Sequence, residues 1–131
     1  MMDTETEHIK TLLQEHPGIL CAILFGSLVK GNALMESDVD VAVLADHRLD
    51  TREKMLLISQ IAAVTGRPVD LVDLSNVGEP LLGQILREGK RILGDDTVFA
   101  SLISKHVYNR ADFYPYQQRI LRERRKAWIG S

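Results

Sequence analysis

The chain has 131 residues, 45% hydrophobic and 26% charged, which fits one folded domain and excludes disordered and fibrous classes. Its net charge is −2, and its single cysteine, Cys21, excludes an internal disulfide and any zinc site built on cysteine pairs. The longest apolar run, Ile19 to Phe25, is too short to span a membrane, and the acidic start from Met1 to Glu7 is unlike a signal peptide, so a soluble, cytoplasmic protein is expected.

Thr4-Glu5-Thr6-Glu7 has the pattern of a capping box, and Ile9, Leu12 and Leu13 follow at helical spacing. That helix should stop before Pro17-Gly18. Ile19 to Phe25 reads as a buried strand ending at Gly26-Ser27, with a short helix after it. Val39, Val41 and Val43 alternate with Asp38, Asp40, Ala42 and Leu44, the period of a strand with both carboxylates on one face. Asp50 to Glu53 caps a second long helix carrying Leu56, Leu57, Ile58, Ile61 and Val64, which Gly66 closes. Pro68 to Leu74 reads as a third strand. Pro80 suits the first position of a short helix that ends at Gly89, and Lys90 to Leu93 reads as an edge strand.

From Asp95 the chain reads as helical, with a break near Tyr114 before Pro115. No repeat or Pro/Gly-rich linker divides it. The expectation is one α/β domain over 1–131, with a core at 19–94 and C-terminal helices at 95–131.

The segment from Gly26 to Asp40 carries the chemistry. It puts Gly26-Ser27 at the end of one strand and Asp38-Val39-Asp40 at the start of the next. Glycine lets backbone approach a phosphate closely, and the turn after it offers N–H groups and the Ser27 hydroxyl. Alternate strand residues point the same way, so Asp38 and Asp40 can share metal ions with the phosphates of a nucleotide. Magnesium favours that arrangement of a few carboxylates plus phosphate oxygens. Lys30 is placed to add positive charge beside the same triphosphate.

This order of elements resembles the GSx10DxD signature of the polymerase-beta-like nucleotidyltransferases, with Lys30-Gly31 and Ser37-Asp38 resembling the usual contexts inside it. The likeness is strong over residues 19–74. The short length resembles the minimal nucleotidyltransferases (MNT), in particular the antitoxins of HEPN/MNT toxin–antitoxin pairs. The resemblance implies a small mixed sheet with helices packed on one side. It also implies transfer of AMP from ATP, with two Mg²⁺ ions, to a tyrosine of a HEPN ribonuclease toxin held in a hetero-oligomeric complex. Metal ligation falls on Asp38 and Asp40, and nucleotide contacts on Gly26, Ser27, Lys30 and Ser37.

The family has a third catalytic carboxylate on a later strand. Asp70 and Asp73 are candidates of opposite parity, so one alone can face the site; Asp70 matches the family's position better. Transfer to a small-molecule hydroxyl such as an aminoglycoside, or masking of a toxin without catalysis, are the alternative functions.

The remaining conspicuous residues read as structural or stay open. His8, His16, His47 and His106 lack ligand spacing and suit surface or helix-end positions. Tyr108, Tyr114, Tyr116 and Trp128 fit either an interface or the packing of the last helices. Residues 1–100 hold 9 Lys/Arg against 16 Asp/Glu, whereas 101–131 hold 7 against 2. The basic cluster of Arg119, Arg122, Arg124, Arg125 and Lys126 fits a solvated face, an acidic protein partner or nucleic acid.

Overall fold

Two strands apolar on both faces form the centre of the sheet. The computed structural model describes residues 3–31 and 37–110. In it β1 (Ile19–Phe25) pairs antiparallel with β2 (Val39–Ala45). β3 (Val69–Asp73) lies parallel to β2, and β4 (Lys90–Leu93) lies antiparallel to β1, giving the order β3-β2-β1-β4. The two edge strands are the shorter and more exposed ones, as edges usually are.

Side-chain parity divides the core in two. Ala22, Leu24, Val39, Val41 and Val43 face one way and bury Ile9 and Leu13 of α1 (Thr4–Gln14) with Leu57 and Ile61 of α3 (Thr51–Thr65). Cys21, Ile23 and Ala42 face the other way, against Leu82 and Ile85 of α4 (Leu81–Glu88) and Leu102 of a helix over residues 96–110, α5. Helices therefore cover both faces, not the one side that the resemblance implied. The cause lies in β1 and β2, whose apolar residues occupy both parities and would leave either face wet without a cover.

Local chemistry sets the helix ends. Asp3, not Thr4, caps α1, accepting from the Thr6 N–H at 2.7 Å. Asp50 and Glu53 form a reciprocal capping box on α3, and Gly66 ends it at φ +68°, where a side chain would be strained. Pro80 sits at the N-cap of α4, one residue before the first helical position expected for it. α5 is pinned to the body by His106 Nδ1 donating to Glu79 at 2.7 Å and Lys105 donating to the Leu74 carbonyl at 2.9 Å. The break before Pro115 and the basic cluster at 119–126 lie outside the described residues. Among the described residues no helix is long and apolar enough to cross a membrane.

Candidate active site

β1 delivers its last residue, Phe25, opposite Asp40 of β2, so Gly26 emerges directly beside that carboxylate. Gly26 has φ +75°, a conformation side chains rarely adopt, and a Cβ there would overlap the Asp40 carboxylate. The glycine is thus required twice, for the turn and for the space. Ser27 opens α2 (Ser27–Lys30), a single turn with Gly26 as its N-cap, which is too short to bring much of a helix dipole.

The carboxylates meet at the same end of the sheet. In the parallel β2–β3 register Asp40 stands opposite Asp70, and paired residues of neighbouring strands share a face. Asp38 is exposed just before β2 begins. Burial raises the Asp40 carboxyl above the ordinary carboxylate range, and the nearby charges of Asp70 and Asp38 raise it further. Repulsion of this kind is what a bound cation relieves.

Asp73 has a different occupation. It is 5% exposed and accepts from the Leu49 N–H at 3.0 Å, the Ser75 N–H at 3.0 Å and the Ser75 hydroxyl at 2.7 Å. Burial would raise its carboxyl, but these donors outweigh it and hold the group below the usual range. It ties the end of β3 to the start of α3, away from the Asp40 face.

Two further candidates have partners of their own. Lys30 pairs with Glu88 of α4 at 3.5 Å, both half-exposed, and so is held beside the site without pointing a free charge into it. The Ser37 carbonyl accepts from Arg67 at 3.1 Å. Among the described residues no three His, Cys, Asp or Glu side chains already form a metal cage. The donors still fit Mg²⁺, which commonly takes one or two carboxylates and completes its shell with phosphate oxygens and water. Asp38, Asp40 and Asp70 supply hard oxygen ligands only, with an excess of negative charge.

Residues 7–98 match the family described as polymerase beta, nucleotidyltransferase. The chain belongs to that family. Among nucleotidyltransferases it is 36% identical over 112 residues to the protein adenylyltransferase MntA of Shewanella oneidensis, across 82% of this chain and 81% of that one. A toxin–antitoxin crystal structure with AMP-PNP superposes with a TM-score of 0.78 at 29% identity, covering 92% of this chain and 98% of that one. A complex of tri-AMPylated Shewanella oneidensis HEPN toxin with MNT antitoxin gives 0.71 at 28% identity, covering 91% and 93%.

Three of the histidines have partners outside the carboxylate site, His106 on Glu79 among them. His16 bonds Gln60 at 2.8 Å, and His47 lies exposed between Asp46 and Glu53, which push it up to about 9. Cys21 is a buried thiol whose ionisation burial opposes. The residues a sequence reading misses are Arg67, Glu5 and Glu88. No local spacing links Arg67 to Glu5, 62 positions away, and a charged residue before a proline carries no signal by itself.

Proposed function

We propose that this nucleotidyltransferase transfers AMP from ATP to a tyrosine hydroxyl of a cognate HEPN ribonuclease toxin in the cytoplasm, and so acts as its antitoxin. The observation carrying this reading is Asp40 flanked by Asp70 across the strand and by Gly26 at the turn, in a chain 36% identical to a protein adenylyltransferase.

Asp38, Asp40 and Asp70 would hold two Mg²⁺ ions, which when bound neutralise charge building on the triphosphate. Gly26 admits the phosphates close to backbone, and Ser27 offers its hydroxyl as a donor. Lys30 reaches them by exchanging Glu88 for a phosphate oxygen, and Ser37 lines the same entrance. The tyrosine oxygen bonds to the α-phosphorus, the bond from that phosphorus to the β-bridging oxygen breaks, and pyrophosphate leaves. Asp70 takes the phenolic proton. The product carries added bulk and negative charge on the toxin, which opposes RNA binding there.

Incubation with each radiolabelled nucleoside triphosphate, Mg²⁺ and the HEPN protein tests the reading. Label from ATP should stay on the denatured toxin and be absent with Asp40→Asn. Label on a small molecule, or a toxin silenced without label, would overturn it.

A further inference from the structure

Arg67 stands outside the signature, between Gly66 and Pro68, yet its side chain crosses to the start of β2. Its Nη1 donates to the Ser37 carbonyl at 3.1 Å, and its Nε donates to Glu5 Oε1 of α1 at 2.5 Å. The side chain is 15% exposed, and the Arg67 N–H is itself anchored on Thr65 Oγ1 at 3.3 Å. The next residue makes a second tie, because the Val39 N–H donates to the Pro68 carbonyl at 2.8 Å.

Asp38 lies between these two ties. Peptide groups are planar, so holding the Ser37 carbonyl fixes the plane before the Asp38 Cα, and holding the Val39 N–H fixes the plane after it. Together the two planes set φ and ψ of Asp38, and with them the direction of its Cα–Cβ bond. An exposed carboxylate has little packing to aim it, so its backbone does the aiming. We propose that Arg67, braced by Glu5, is a positioning residue that directs the Asp38 carboxylate toward the metal and triphosphate.

This inference rests on the nucleotidyltransferase reading of the site. Glu5 neutralises the guanidinium, so the contribution of Arg67 is geometric rather than an extra positive charge for the nucleotide. The guanidinium serves the two acceptors from separate nitrogens held in one rigid plane, a fixed fork that the single nitrogen of lysine on its flexible stem does not reproduce.

The test is Mn²⁺ binding in the presence of AMP-PNP, followed by electron paramagnetic resonance, beside thermal melts of the same full-length proteins. Arg67→Gln and Arg67→Lys should each lose about tenfold in Mn²⁺ affinity. Arg67→Lys keeps a cation beside Glu5 and should melt close to wild type. Glu5→Gln keeps an oxygen for the Nε–H and should melt lower while binding Mn²⁺ within about twofold of wild type. Arg67→Lys binding like wild type would overturn the positioning role alone, as would Glu5→Gln losing affinity in step with its stability. Wild-type protein that bound no Mn²⁺ would overturn the metal-site reading and this inference with it. If Arg67→Gln does not fold, the other two variants decide.

Discussion

Asp40 is half-buried between Gly26 and Asp70, and burial with two neighbouring carboxylates holds its carboxyl above the ordinary range. A folded-state value above the unfolded one means that the cost of the charge is absent in acid and grows as pH rises through the folded value. At neutral pH without metal, Asp40→Asn should therefore melt higher than wild type, while AMP transfer falls about a thousandfold or more. Calorimetry and a transfer assay on the same preparation check both halves; a lower melting temperature would contradict the electrostatic account. Gly26→Ala should lose transfer to a similar degree, because the new methyl meets the Asp40 carboxylate in a backbone conformation alanine resists. Alternation around Asp38 and Asp40 makes their placement readable from sequence. The Arg67–Glu5 brace is not readable, since it joins residues brought together only by the packing of α1 beside α3.

At the scale of elements, β3 carries two aspartates of opposite parity: Asp70 stands opposite Asp40, while Asp73 accepts from Leu49 and Ser75. Asp70→Asn should keep ATP affinity within about tenfold while transfer drops about a hundredfold, as nucleotide titration and single-turnover kinetics can separate. Asp73→Asn should keep transfer but destabilise the fold by about 1–3 kcal/mol, because its amide nitrogen meets an N–H where an oxygen stood. The pH dependence has the opposite sign to that of Asp40. Asp73 is held below its ordinary value of 3.8, so its stabilisation is present above that pH and is lost as pH falls toward the folded value. Denaturant melts from pH 6 down to pH 3 should show wild type losing more stability than Asp73→Asn.

The element order was legible because each boundary has its own chemistry, from the Asp50 capping box to Gly66 and Gly89. The α1 cap was displaced by one residue because Asp3 and Thr4 are both good caps, and only the fold decides which accepts from Thr6.

At the scale of the molecule, the core explains the layer arrangement better than the resemblance did. Strands apolar on both parities require two covers, and α4 with α5 supplies the second, locked by Glu79 and His106. The His106 ring passes directly over Gly83, where a Cβ would stand 2.5 Å from it, so Gly83→Ala should turn the imidazole off Glu79 and loosen that tie of α5, lowering the melting temperature.

What no motif encodes is the acceptor, because the signature residues face the metal and the triphosphate rather than the attacking hydroxyl. The central claim is a covalent one, and intact-mass spectrometry of the HEPN toxin addresses it most directly. Toxin produced together with this protein should be heavier by one or more AMP groups after denaturation, with the mass on tyrosine and absent when Asp40→Asn is used. A toxin that is silenced at its unmodified mass would contradict the account and leave masking by contact in its place.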